Sequence, residues 1–511
     1  MAGRKSGIVI RMVNDLQHEF SGATISRTYA VRTLWLIENS RWSPCLRIGE
    51  RGIEGVHSIY ELIRPVDHAA EENAQPPFEV TNRRVLAIAV PMTLAFLTTP
   101  LLGLVDTAVV GQLGNPALLG GLAAGAIVFD VVFNTFNSLR SGTTGLVAQA
   151  FGGGETREEQ AVLLRSLTLA VGLGIAIIFM GPLISAAGVW FIDPEARVAE
   201  AMRTYIAIRI LAAPLTLMNY AILGYVLGRG EGATGLLLQI LLNGANILLS
   251  FYLGLTLGWG LEGVAWGTVG GELLAVLGGG VILLRRFAGQ PHPRREHVFD
   301  IAAMLRMIAL NGDIMTRSFT LLAAYALFTR QGAQLGTITL AANAVLMNFF
   351  FIAGYFLDGF ATAAEQLAGR AVGARQWTAF RRAVFLSGLW GLVLALGATA
   401  AFYLFGETLI ALVTTAPAVR ALALEYLPWA ALIAVSGFLA FEMDGVFIGA
   451  TWSRDMRNMM LLSLVAYVAS LLPLGMAYGN HGLWASMHIW LIVRGLSLLA
   501  ILPYRARQTF G

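Results

Sequence analysis

From residue 84 onward the sequence is a series of twelve apolar runs, most of them about as long as a bilayer is thick. They cover 84–113, 117–150, 160–188, 197–227, 233–257, 261–285, 301–330, 338–368, 381–405, 419–447, 457–478 and 482–504. About 20 apolar residues in a helix cross the hydrocarbon core. Backbone N–H and C=O groups find no water there, so each run must satisfy them internally. The runs predict an all-α polytopic membrane protein with twelve transmembrane helices. Composition agrees: 13% of the 511 residues are charged, against about 25% in soluble chains.

Arginines orient the runs. Lys5 is the only lysine. Every second loop is basic, holding Arg157 and Arg165, Arg229, Arg285 to Arg295, Arg370 to Arg382, Arg454 and Arg457, then Arg505 and Arg507. The opposite loops hold mainly Arg197, Arg330 and Arg420. Basic loops stay cytoplasmic, so both termini are expected there. The longest basic loop, RRFAGQPHPRREHVFD (285–300), joins two halves of six helices each. The expected organisation is an N-lobe over 81–285, a linker over 286–300, a C-lobe over 301–505 and a short tail over 506–511.

The halves read as a repeat. AQAFGGG (148–154) and GRAVGAR (369–375) stand 221 residues apart, as do LGYVLGRG (223–230) and DGVFIGAT (444–451). LEGVAWGT (261–268) and HGLWASM (481–487) stand at nearly that offset. Six helices per copy keep both copies in one orientation. That makes a parallel repeat, with a pseudo-two-fold axis along the membrane normal and a cleft between the lobes.

Residues 1–80 are polar and mixed in charge. They read as a disordered cytoplasmic tail, a targeting extension, or translation from upstream of the real start. Acids such as Asp15, Glu19 and Glu38 argue against a transit peptide. The lone Cys45 excludes an internal disulfide or a multi-cysteine metal site. His18, His57 and His68 precede the first run, and no metalloprotease, P-loop or nucleophile-elbow motif is present. No enzyme, cofactor or resident metal is expected, and the arginines are not spread as a nucleic-acid-binding face would need.

The polar residues inside the runs carry the functional reading. Asp106 stands in PLLGLVDTAVVGQLG (100–114), its only ionisable side chain. A carboxylate at the bilayer centre costs about 2.5–3.5 kcal/mol on insertion scales. Its repeat partner is Phe328, which argues against a structural role common to both lobes. Interhelical glue is the plainer alternative. Pro91 and Pro100 precede Asp106 in the same run, and each removes a backbone donor. They fit a helix whose bend answers to the acid, or prolines merely tolerated in a membrane helix. Asn243, Asn246 and Ser250 share one face of the fifth run; Thr268 and Glu272 share one on the sixth. Both stripes fit either glue or a polar pocket around Asp106.

In the second half, Asp313 and Arg317 are spaced to pair within one helix. Tyr355, Asp358 and Glu365 share a face, and Glu442 and Asp444 lie in the tenth run. Any of these could stabilise the lobe or meet a solute. Phe349, Phe350, Phe351, Phe356 and Met347 line a greasy cavity or pack in the core.

At PLLGLVDTAVVGQLG, AQAFGGG, NGDIMTRS, LDGFATAAEQLAGRAVGAR and DGVFIGATWSRDMRN the chain resembles the multidrug and toxic compound extrusion (MATE) family. It is most similar to the DinF-like branch, over about 80–505. The resemblance implies two six-helix lobes and export driven by inward proton or sodium flow. Asp106 matches the first-helix acid taken as the ion-coupling residue, and Pro91 the bending proline. Asn219, Asn246 and Thr268 match pocket positions on helices four, five and six. The branch usually carries an aspartate where this chain has Ser250. That leaves Asp106 as the lone pocket carboxylate with no cation in the motif, which favours proton over sodium.

The expected protein is a monomeric antiporter of the bacterial inner membrane. It moves drug-like, often cationic or amphipathic, organic solutes and has no nucleic-acid partner. The alternative is a flippase for lipid or polyprenyl-linked sugar, which would show a more cationic cavity than these acids imply.

Overall fold

The computed structural model describes residues 78–511, so the reading of 1–77 lies outside the described residues. Phe78 N–H donates to Gln376 Oε1 (3.2 Å), the Phe78 ring faces the Arg370 guanidinium at 4.3 Å, and Val80 is buried. The boundary expected at 80 therefore falls too late, because the chain has joined the bundle by residue 78.

Helix α1 is Asn82–Gly111; α2 is Pro116–Phe136 and Ser138–Gly152 in succession; α3 is Thr156–Ile192. α4 is Ala196–Arg209 and Ala213–Gly228, joined by the 3₁₀ turn Ile210–Ala212. α5 is Gly232–Phe251, ending in the π turn Tyr252–Thr256, and α6 is Gly260–Phe287. A linker with the helical turn Arg295–Val298 leads to α7 (Ile301–Gln334), α8 (Thr337–Gly373), α9 (Trp377–Val413) and α10 (Pro417–Gly449). The last segment, Ser453–Phe510, breaks at Gly479 (φ 56°, ψ −128°), a conformation that favours glycine. A Cβ on Gly482 would lie 1.9 Å from the Leu474 carbonyl, so the halves fold back on each other as α11 (453–478) and α12 (480–510).

Local signals explain several boundaries. Thr81, Asn115 and Asp300 each accept a bond from the first turn of α1, α2 and α7, as N-caps do. Helices also outrun the apolar runs. α9 continues to Val413, whereas its run ends at 405. Gly406 and Glu407 interrupt the apolar run, but backbone bonding continues through them into residues 409–413. Ten helices among the described residues are long and apolar enough to cross a membrane, the Ser453–Phe510 segment counted once. α7 is as long but carries Arg306, Asp313, Arg317 and Arg330.

The repeat is visible as reciprocal contact. A Cβ on Gly152 would meet the Arg370 carbonyl at 2.1 Å; one on Gly373, 221 residues on, would meet the Gln149 carbonyl at 1.9 Å. Within the N-lobe, Gly224 lies against the Arg140 carbonyl and Gly228 against that of Thr144. In the C-lobe, Gly445 lies against Ala361 and Gly449 against Glu365 at the same offset. Small residues let helix backbones touch where lipid gives no hydrophobic drive to associate. The quoted motifs are thus the places where α2 meets α4, α8 meets α10, and α2 meets α8 across the axis.

Polar bonds between lobes join the same end. Gln149 Nε2 donates to the Gly449 carbonyl (2.9 Å) and Thr451 Oγ1 (3.1 Å), and Gln366 Nε2 to the Gly228 carbonyl (3.4 Å). Phe151 lies between the guanidinium groups of Arg229 and Arg370, each 4.7 Å from its ring centre. The lobes are closed together at the end where the arginine-bearing loops gather.

Candidate functional site

In the N-lobe, α1 runs unbroken through Pro91 and Pro100. Pro91 leaves the carbonyl of Ala87 without its helical donor, and Gly232 packs against that spot, where a Cβ would lie 3.0 Å from the oxygen. Further along α1, Asp106 is buried, and its Oδ1 has no hydrogen-bond partner.

Gly263, Gly267 and Gly271 on α6 admit the backbone of α5, since a Cβ on Gly267 would sit 2.6 Å from the Ser250 nitrogen. That approach buries Asn246 and Ser250 completely. Ser250 Oγ donates to Asn246 Oδ1 (3.0 Å) and the Ser250 side chain also acts on Asp106. Asn246 Nδ2 is unpartnered. Asn219 Nδ2 donates to Glu272 Oε2 (2.6 Å) and to the Glu272 carbonyl (3.0 Å), tying α4 to α6. Thr268 bonds back to Val264 O within α6 (3.3 Å). Asn243 Nδ2 donates to Thr98 Oγ1 on α1 (2.5 Å), a bond that fits the interhelical-glue alternative for this residue.

The expectation of a lone acid without a nearby cation is corrected here. Arg209, at the bend of α4, exerts its charge on Asp106, Asp130 and Glu272. Its guanidinium stacks over Phe129 (5.0 Å) and Tyr205 (6.0 Å), and Nε has no partner. Among the described residues Arg209 makes no ion pair. The position that matches Asp106 at the 221-residue offset is Leu327, one short of the expected Phe328; both are apolar, and Phe328 is packed edge-on against Trp484 at 5.0 Å.

In the C-lobe the expected Asp313–Arg317 pairing does not form. Asp313 accepts from Arg457 (2.7 Å) and Ser453 (2.7 Å), whereas Arg317 donates to Asp444 (2.9 Å). Their spacing allowed a pair, but α10 and α11 offer better-placed partners. Asp444 also accepts from the buried Arg494 on α12. Above this clamp lies a cavity of about 270 Å³ between the lobes. Arg317, Arg494, Asp358 and Tyr355 line it, with Phe350 and Phe351 on α8 and Asn134 and Asn137 on α2. Phe349 lies instead in the core, edge-on to Phe402 at 5.0 Å, and Met347 packs in the same cluster. Asp358, Glu365 and Asp444 meet around a smaller adjoining space of about 30 Å³. Glu365 faces Arg140 and Thr144 of the N-lobe. The central cavity is therefore lined by two arginines and one aspartate, less acidic than the acids of α8 and α10 implied.

Asp130, Arg140, Arg209 and Arg494 escaped the sequence reading, although each is a charge inside an apolar run, the signal that singled out Asp106. Among the described residues no group of three or more His, Cys, Asp or Glu could hold a metal ion.

The MatE family model matches residues 91–252 and again 314–472, once in each lobe. The chain belongs to the MatE family. It is 36% identical over 430 residues to the DNA damage-inducible protein F of Escherichia coli, covering 82% of this chain and 92% of that one. It is 24% identical to the probable multidrug resistance protein NorM of Bacillus anthracis, covering 77% of this chain and 87% of that one. The fold matches an outward-facing multidrug resistance MATE transporter of the MOP superfamily with a TM-score of 0.77 at 18% identity. That match covers 84% of this chain and 97% of the other. This MatE chain is thus a membrane transporter of that family and not an enzyme, as its resemblance implied.

Proposed function

We propose that this MatE protein is a secondary antiporter that exports drug-like organic solutes, cationic or amphipathic, in exchange for protons, with sodium as the alternative ion. Asp106 is the coupling carboxylate, and no cofactor takes part. The protein acts as a monomer in a bacterial inner membrane, with the arginine-rich end and both termini cytoplasmic. The observation that carries this reading is the buried Asp106 with an unpartnered oxygen, beside Ser250 and below two prolines on one helix. Intramembrane acids are functional by default.

Asn219, Asn246, Ser250, Thr268 and Glu272 form the wall of the N-lobe pocket. Arg209 changes the basis of the ion preference: a fixed guanidinium already among the carboxylates opposes a second permanent cation such as sodium. A proton instead cancels one negative charge. Coupling requires that ion and solute favour different states, so that each shifts the lobes by its differential affinity.

The test is efflux of a cationic fluorescent dye from proteoliposomes, with a proton or a sodium gradient imposed alone. Asp106→Asn should lose gradient-driven efflux. Export as fast as wild type by that variant would sink the mechanism. One observation favours a second reading, a flippase for lipid or polyprenyl-linked sugar: Arg317 and Arg494 line the central cavity against Asp358 alone. Gradient-independent movement of a labelled lipid, with no dye efflux, would select it.

A further inference from the structure

A second cavity, of about 360 Å³, opens at the arginine-rich end and shares no lining residue with the central one. The N-lobe supplies Leu146 of α2 and Val162 and Arg165 of α3. The C-lobe supplies Arg306 and Met307 of α7 and Arg454 at the start of α11.

The two acids in its wall are already neutralised. Glu158 is held by Arg165 (2.7 Å) and His297 (2.7 Å), and Asp313 by Arg457 and Ser453 (2.7 Å each). Arg165 is fully occupied as well, donating also to the carbonyls of His297 (2.6 Å) and Val298 (3.0 Å). Arg306 and Arg454 remain. Both are exposed, and among the described residues neither makes an ion pair or a hydrogen bond. Two free guanidinium groups thus face one space with an apolar floor.

The surface beyond Arg454 is apolar. Leu461, Val465, Val468 and Leu472 follow it at helical spacing on one face of α11, exposed by 43%, 66%, 41% and 55%. Leu305 and Ile308, beside Arg306 on α7, are exposed too. A basic pocket between membrane helices at headgroup depth, with a greasy track leading from it toward the bilayer centre, fits a lipid better than a soluble ion.

We propose that this cavity binds the phosphate headgroup of an anionic phospholipid, held by Arg306 and Arg454, with an acyl chain along the exposed face of α11. Both lobes build the walls, so the site is complete only while they are closed at this end. A lipid bound there stabilises that state.

Native mass spectrometry of the full chain, titrated with dioleoylphosphatidylglycerol or dioleoylphosphatidylcholine, tests this directly. Wild type should retain phosphatidylglycerol preferentially. Each of Arg306→Gln and Arg454→Gln should weaken it about fivefold, and the pair about thirtyfold, with phosphatidylcholine retention unchanged as the control for folding. Arg285→Gln with Arg382→Gln, equally basic positions outside the cavity, should leave phosphatidylglycerol binding as in wild type. Equal loss in that control pair, or none in the cavity pair, overturns the proposal. So does inorganic phosphate that displaces the lipid at equal concentration, which would make free phosphate the occupant. None of these readouts depends on transport, so they stand apart from the test of Asp106.

Discussion

Gly373→Ala tests whether the crossing of α2 and α8 sets the balance between the two faces of this transporter. An alanine Cβ there would lie 1.9 Å from the Gln149 carbonyl, where ordinary contact begins at 3.4 Å. The lobes must part by about 1.5 Å, or the helices must shift. Overpacking of that kind costs about 1–3 kcal/mol. The strain exists only while the lobes are closed at the arginine-rich end, so it weighs on that state alone. The conformational ratio should move about 5- to 150-fold toward opening at that end. Gly482→Ala is the matched control. Its Cβ would meet the Leu474 carbonyl at 1.9 Å, but between α11 and α12 within the C-lobe, away from the other lobe. It should lower the unfolding temperature and leave the ratio alone. The assay is labelling of Thr451→Cys, in a Cys45→Ser background, with an impermeant maleimide. Thr451 is covered by Gln149 across the lobes at 3.1 Å. Faster labelling in Gly373→Ala than in Gly482→Ala is expected. If both label at the wild-type rate and both merely melt early, the glycine crossing is packing and not a conformational determinant.

Further outcomes follow from single contacts. Arg209→Gln removes the fixed positive charge acting on Asp106, Asp130 and Glu272. Dye efflux under a sodium gradient alone should rise from background in this variant, and a flat response would remove Arg209 from the ion preference. Asp444→Asn leaves Arg317 and Arg494 without their shared carboxylate, which should cost about 3–5 kcal/mol in thermal unfolding. Asn343→Ala breaks the reciprocal amide bonds to Asn480 (2.7 and 3.0 Å) and strands Trp484 Nε1. A loss of about 1–3 kcal/mol is expected, read by denaturation in detergent.

The membrane fold, the helix count and the parallel repeat were legible in the chain itself. Lipid admits so few backbone solutions that apolar length nearly dictates helices, and duplication leaves its offset in the motifs. Asp106 stood out because a carboxylate among apolar neighbours is costly wherever the helix lies. What the motifs did at that offset needed coordinates. Gly152 and Gly373 look like loop glycines until each is seen against the other lobe's backbone.

Partners of charges were likewise undecided by spacing. Asp313 and Arg317 are within reach of each other on one helix, yet each turns to another helix, because Arg457, Ser453 and Asp444 lie closer to the required geometry. Arg209 stands 103 residues from Asp106 in the chain and acts on it only because the bend at Ile210–Ala212 and the packing of α1 bring them to one lobe interior. Hydrophobic burial is non-directional and can be read from composition, whereas a hydrogen bond or an ion pair depends on distance and angle. Only the tertiary arrangement sets those.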